Sequence, residues 1–462
     1  MMGRRTTGQG QLFYAFALDE VVPASHLVRK IDAVLDLSWV HQELAPFYSS
    51  TGRPSIDPEL MLRMLILGYI FAIRSERQIC AEVQVNLAYR WFCRLSIEDE
   101  IPNHSVFSRA RHERFRESDV LRGVFERIVA ASIAAGLVGG DAFSVDASLI
   151  KADVNKRKRA SGEAAPRWQD ADQASRAVRE YIAVLDAASD ERGADGGGNG
   201  RRDGETRKEI SETDPQATWI ARKGIDTTFY YDANYLIDNR FGIIVDAEGT
   251  RSSLREETTI AETMLGRVMA RFGMTPQRLA GDTAYGTGRL LKWLVDRGVT
   301  PHVPVWDRSA RVDGKFSKAD FTFDRERNVY ICPAGKELTH SGVIDQGRIL
   351  PYRSSTRDCM RCDLKPRCTT ATTRKVSRDI DEDVRDYVRS LEGTEAFAQS
   401  CVERKKVEMR FAHMKRIHRL DRLRLRGLTG AKDEVLLTAL AQNLKRLAKF
   451  VWQSAQPGPM PA

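Results

Sequence analysis

The chain has 462 residues, with 72 Lys and Arg against 63 Asp and Glu, a formal net charge of +9. Hydrophobic residues make up 42% and charged residues 29%, which excludes wholesale disorder, collagen and coiled coil. The length allows two to four domains of roughly 100–200 residues. No apolar run approaches the roughly 18 residues that span a bilayer, and Leu12–Leu18 runs into Asp19 and Glu20 without a small-residue cleavage site. A soluble, cytoplasmic protein with no membrane partner is therefore expected.

In chain order, Asp57-Pro58-Glu59 opens a helix, with Asp as N-cap and Pro in the first turn. The run Leu60–Ile73 is apolar almost all round, which places it centrally in a bundle. Further helices are predicted from Arg74 to Val83, Leu87 to Leu95 and Val106 to Phe115. The last carries Arg109, Arg111, His112 and Arg114, so the unit reads as a helix-turn-helix type DNA binder or as a plain bundle with a solvated basic face. A helix over Asp119–Ala135 leads to a strand over Ala142–Ile150. Residues 154–216 are Gly-rich and charged, as in Gly193–Gly200, and predict a flexible insertion with a short helix near Gln173–Leu185. Two strands, Thr227–Ile237 and Phe241–Val245, form a hairpin. Helix Thr258–Phe272, strand Arg278–Asp282, helix Gly286–Arg297 and strand Thr300–Val305 follow. A turn-rich stretch fills 306–395, and helices Phe397–Ile417 and Lys432–Trp452 end the chain. The alternation indicates a mixed α/β domain with two insertions.

Three carboxylates stand out. Asp146 lies mid-strand among strand formers, where it marks either a site or an exposed edge. Asp282 ends a strand, where ligands of α/β sheets gather, or else caps the next helix. Arg404, Glu408 and Lys415 fall on one helical stripe at about 100° per residue. That stripe suits a carboxylate holding a cation while Arg and Lys grip phosphate, or a set of surface i,i+4 ion pairs. Glu403 is the rival carboxylate, about 140° round the helix from Glu408.

The spacing of Arg404, Glu408 and Lys415 resembles the Tyr-x2-Arg-x3-Glu-x6-Lys signature of bacterial insertion-sequence transposases of the DDE class, with Cys401 where that family has Tyr. The segments around Asp146 and Gly281-Asp282-Thr283-Ala284-Tyr285-Gly286 resemble its two aspartate motifs. Gly52–Pro58 and Pro102–Arg109 resemble its helical N-terminal domain. The resemblance implies an α/β fold: a ribonuclease-H-like core with an N-terminal all-α domain and a small β-rich, zinc-ribbon-like insertion. The implied boundaries are 1–116 (helical, DNA-binding), 117–140 (connecting helix), 141–305 (first part of the core), 306–395 (insertion), 396–452 (C-terminal core helices) and 453–462 (tail). It further implies that Asp146, Asp282 and Glu408 converge on two Mg²⁺ or Mn²⁺ ions, for cleavage at transposon ends and strand transfer into target DNA. The partners are then double-stranded DNA and, by analogy, a second copy in a synaptic homodimer, at the bacterial nucleoid. The alternatives are a nuclease of the same fold that does not join, and an inactive DNA-binding remnant or repressor. Cys401 bears on the last, because Cys cannot stack or hydrogen-bond as Tyr does.

Four of the seven cysteines, Cys332, Cys359, Cys362 and Cys368, form a cluster. An odd total with one local cluster favours a reducing compartment over a disulfide framework. The C-x2-C pair with two more thiols suits a structural Cys₄ zinc site, or a module of unliganded thiols. Between Arg404 and Arg426 stand ten Lys and Arg against Glu408 and Asp421, nearly the whole net charge. This run, with Arg416 and Arg419 beside the Glu408 stripe, is read as a DNA-gripping surface.

Overall fold

A computed structural model describes residues 16–49, 51–52, 55–161, 174–184, 209–252, 254–305, 314–344 and 348–454. The Gly-rich part of the expected flexible insertion and the tail from 455 lie outside the described residues.

Nine helices open the described chain: α1 Leu18–Val21, α2 Leu27–Asp32, α3 Val40–Leu44, α4 Pro58–Ile70, α5 Glu76–Val85, α6 Leu87–Phe92, α7 His104–His112, α8 Arg114–Glu117 and α9 Val120–Ala134. Asp57 caps α4 by accepting from the backbone N–H of Glu59 (2.6 Å) and Leu60 (3.2 Å). Arg63, inside that apolar helix, is buried and paired with Asp32 at 2.8 Å and Glu59 at 2.7 Å. A buried cation is tolerable only with such partners.

The main sheet contains β1 Ala142–Lys151, β4 Thr218–Ile220, β5 Thr228–Asp238, β6 Ile244–Arg251, β7 Arg278–Ala280 and β8 Thr300–His302. The short strands β2 Arg159–Ser161 and β3 Glu209–Ser211 pair separately. Strand β5 lies antiparallel to β1 on one edge, and β4 and β6 lie end to end along its other edge. On the far side of β1, β7 and then β8 run parallel to it. The helices here are α10 (176–184), α11 Leu254–Phe272 and α12 Gly288–Val295. Helix α11 begins four residues before the predicted start at Thr258, which brings Glu257 onto it.

The cysteine-bearing region is β-rich and broader than a ribbon. Strands β9 Thr322–Asp324, β10 Val329–Ile331, β11 Glu337–His340, β12 Ile349–Ser354 and β13 Lys375–Asp379 form one antiparallel sheet. It has a core of its own: Phe321, Tyr330, Leu338, Tyr352 and Val376. Short helices α13 Thr356–Met360 and α14 Lys365–Cys368 carry Cys359 and Cys368, with Cys362 between them, and α15 Glu382–Leu391 follows. On α15 the buried Glu382 is held well below the usual carboxylate range, at about 2. Lys318, Arg385 and Arg389 outweigh its burial, at 2.9, 2.9 and 3.0 Å.

Two long helices end the described chain, α16 Glu395–Arg416 and α17 Gly427–Ser454. Helix α16 ends at Arg416, one residue before the predicted Ile417, and the basic run beyond it does not continue as helix. Arg419 takes a left-handed φ of 55°, and the segment instead bridges the end of β1. The Lys151 N–H donates to the Asp421 carbonyl (3.1 Å), and the Leu423 N–H to the Lys151 carbonyl (2.8 Å).

Helix α17 unites the molecule. It packs on α2, α4 and α9 as well as β6, so the N-terminal helices and the sheet share one apolar core. Its Asn443 side chain accepts from the Ile244 N–H (3.0 Å) and donates to the Ile244 carbonyl (2.7 Å), satisfying backbone groups at the start of edge strand β6. Its buried Glu434 pairs with Arg74 and accepts from the N–H groups of Arg424 (2.6 Å) and Leu425 (2.7 Å). The helix meets β6 so closely that a Cβ on Gly249 would sit 2.8 Å from the Lys432 nitrogen and 2.9 Å from the Ala431 carbonyl. By contrast, a Cβ on Gly266, inside α11, would meet nothing within 4 Å.

These two glycines give opposed expectations. Gly249→Ala forces two backbones apart and should lower stability by about 1–3 kcal/mol. Gly266→Ala should raise it by about 0.5–1 kcal/mol. Urea melts check both signs.

Candidate active site

Strand register brings the first two carboxylates side by side. Ala142 pairs with Arg278 and Ser144 with Ala280, so two residues further on Asp146 comes level with Asp282. Across the other edge Asp146 faces Tyr235 of β5. The Tyr235 ring stacks on Phe411 of α16, with centroids 4.8 Å apart and planes 14° apart. That contact seats α16 at the level of Asp146, and Arg404 and Glu408 arrive with it.

Asp146 accepts from the Ala147 N–H through Oδ1 (2.8 Å) and from Arg404 Nη1 through Oδ2 (3.4 Å). Arg404 Nη2 also pairs with Glu408 Oε1 at 3.2 Å. One guanidinium therefore bridges two carboxylates 262 positions apart in number (146 and 408). Burial pushes the Asp146 carboxyl up to about 6, and the negative charges of Asp282 and Glu408 add to it, against the Ala147 N–H and Arg404. Asp282 caps the following turn by accepting from the Ala284 N–H at 2.9 Å, so at that residue a capping role and a place beside Asp146 coexist. Glu403 turns away to Arg278 (3.1 Å) and Asn239 (3.3 Å).

Further acidic side chains crowd the same place, and sequence reasoning missed them. Glu257 of α11 is pushed up to about 7 by burial, then by the charges of Asp232, Asp282 and Asp146. Asp232 is 3% exposed on β5. The signal for it was present: like Asp146, it interrupts a run of strand formers. Glu257 carried none, because its role depends on where α11 packs. Tyr285, three residues after Asp282, is 1% exposed and its hydroxyl has no hydrogen-bond partner. Burial and the charges of Asp146, Glu257, Asp282 and Asp232 hold its ionisation well above the usual tyrosine value.

The sequence-predicted cations divide. Arg404 is inside the site. Lys415 is half-buried, and burial lowers its ammonium against the pull of Asp421 and Asp232. Arg109, Arg416 and Arg419 are exposed. Arg111 is corrected: it is 4% exposed and paired with Glu76 at 2.5 Å, because the side of α7 that bears it packs inward. The basic run is also partly internal, at Arg410, and partly paired at the surface, at Arg422 and Arg426. Arg410 is buried against the Phe241 carbonyl (3.3 Å), and Arg422 and Arg426 pair with Asp153 at 3.3 and 3.1 Å.

Cys332, Cys359, Cys362 and Cys368 line one small pocket. The Cys368 thiol is raised by burial and by the three other sulfurs, and Cys332 Sγ accepts from the Lys336 N–H at 3.3 Å. Among the described residues, no three His, Cys, Asp or Glu side chains are arranged to hold a metal ion as they stand. Cys401 is exposed.

Crowded carboxylates predict a pH signature. Glu257 holds its proton more tightly folded than unfolded, so stability falls as pH rises from about 4.5 to about 7, and the penalty is complete above that. Glu257→Gln should therefore melt higher than the parent near pH 8 and equally near pH 4, in thermal scans with chelator present. Equal melting at both would contradict the crowding.

Comparison with known proteins follows the two ends of the chain. Residues 16–113 match the family described as Transposase domain (DUF772), and residues 331–448 match Transposase DDE domain. The second match contains Glu408 and its flanking cations but neither Asp146 nor Asp282. No curated protein matches the sequence. A solved structure of the piggyBac transposase synaptic complex with hairpin DNA aligns at 9% identity over 93% of this chain and 80% of that one, with a TM-score of 0.32, a value too low to argue from. No helix among the described residues is long and apolar enough to cross a membrane. With transposase domains matched at both ends, the chain is a DDE transposase, an enzyme that acts on DNA.

Proposed function

We propose that this transposase cleaves DNA at transposon ends and transfers the freed strand into target DNA, with Asp146, Asp282 and Glu408 as its catalytic carboxylates. The observation that carries this reading is the Arg404 bridge between Asp146 and Glu408. A single cation is already shared by the two acids, where more positive charge would be favourable. The strand order β6-β5-β1-β7-β8, antiparallel and then parallel, supports a ribonuclease-H-like core.

The donors are hard oxygens, which fit Mg²⁺ or Mn²⁺ in preference to softer metals. The mutual charge of Asp282 and Glu408 on Asp146 fits a site whose charge balance is completed by a cation. Asp146, Asp282 and Glu408 would hold the ions, which when bound supply charge stabilisation for an in-line displacement at phosphorus. The protein's own cations do the positioning. Arg404 would exchange its carboxylates for the phosphate of the bound strand, and Lys415 would hold the same backbone from further along the helix. Exposed Arg109, Arg416 and Arg419 would extend the grip on the duplex. Joining two ends calls for a second copy, so the working form is read as a homodimer at the nucleoid.

The expected result for Asp146→Asn and for Glu408→Gln is loss of Mg²⁺-dependent end cleavage by at least roughly a hundredfold, since several kcal/mol of transition-state stabilisation is removed. Duplex binding should persist. Normal cleavage by either variant would falsify the assignment. Strand-transfer products in a plasmid assay separate a transposase from an enzyme that only cuts.

The four gathered thiols support a structural zinc in the insertion. Purified protein should carry about one zinc per chain, and Cys359→Ser with Cys362→Ser should abolish it and lower the melting temperature. A content below about half an equivalent would argue against it.

A further inference from the structure

A cleft of about 480 Å³ lies between the second half of α16 and the last turns of α17. Arg410, His413, Lys445, Arg446 and Lys449 line it, over a floor that includes Phe241 and Phe450. None of its lining residues is an Asp or Glu. The contrast with the cleft beside β1 is direct. There Lys151 pairs with Asp226, and Arg422 and Arg426 pair with Asp153. Its cations, Lys156 apart, are paired within the protein.

In the α16–α17 cleft they are not. Lys445 and Arg446 are half-buried, and their charged forms are disfavoured by burial alone, with no carboxylate among the described residues to offset it. Arg410 is 7% exposed and held by the Phe241 carbonyl at 3.3 Å. Lys449 is exposed at the rim. Partly desolvated cations without a counter-charge are unfavourable unless an anion joins them. On α17, positions 445, 446 and 449 fall on one side of the helix, at about 100° per residue. Several cations set along one helix suit a chain of phosphates better than a single small anion.

We propose that this cleft is a second DNA-binding site, which takes the phosphate backbone of duplex DNA independently of sequence. Arg410 lies only two residues from Glu408 but about 200° round the same helix. The cleft therefore faces away from the carboxylates. The DNA in it is a different segment from the one being cut, either a flank wrapping round α16 or a second duplex. This assignment does not depend on which residues are catalytic.

The test uses the full chain, chelator in place of divalent cations, and a short duplex without transposon ends. Lys445→Ala with Lys449→Ala should weaken duplex binding roughly tenfold at low salt. It should also make the dependence of log K on log salt shallower by about 0.9 for each phosphate that is no longer neutralised. Lys445→Arg with Lys449→Arg should keep both. Lys449→Glu alone, at an exposed position, gives the same reading if the double variant does not fold. Unchanged affinity and slope in the alanine variant would overturn the proposal. So would a variant that loses binding to a polyglutamate peptide while holding the duplex as before, since the cleft would then serve an acidic protein segment.

Discussion

The register of β1 is the constraint on which the rest depends. Held antiparallel to β5 and parallel to β7, it sets Asp146 opposite Tyr235 and level with Asp282. Side chains alternate along a strand, so a slip of one residue would turn Asp146 to the other face of the sheet. Tyr235 then matters as much as Asp146, because its stacking on Phe411 fixes the height at which α16 crosses. The third carboxylate is thus placed by an aromatic contact that has no chemistry of its own.

The site so formed is electrostatically tense. Asp146, Asp232, Glu257 and Asp282 sit near one another in partly buried surroundings, and two of them hold protons well above the usual carboxylate range. Such crowding opposes folding, and sites that bind cations are where proteins retain it. Arg404 relieves part of it. Its guanidinium is shared between Asp146 and Glu408, so its availability to DNA and the charge state of the acids are linked.

Helix α17 makes one body of what sequence reading divides at about residue 116. Through Glu434 it holds Arg74, between α4 and α5 of the N-terminal bundle, and through Asn443 and its close approach to Gly249 it holds the edge of the sheet. The bundle that would meet DNA and the sheet that would cut it are packed on the same helix. The five-stranded insertion, by contrast, keeps its own small core.

Features that depend on neighbours in sequence were readable in advance. The Asp57 cap, the strand of Asp146, the hairpin before α11 and the helical stripe of Arg404 and Glu408 all follow from local pattern, because propensity and periodicity act over a few residues. Features that depend on distant partners were not. Arg109 and Arg111 look alike in sequence, yet one is exposed and the other buried on Glu76. The run Arg404–Arg426 reads as one basic surface, but packing divides it among the carboxylates, the sheet edge and the α16–α17 cleft. Glu257 joins the acidic cluster only because α11 lies against the turn of Asp282. Residue type and spacing determined which charges the chain carries. Tertiary packing alone decided which of them face each other and which face solvent, since burial and partnership are set by segments hundreds of residues apart.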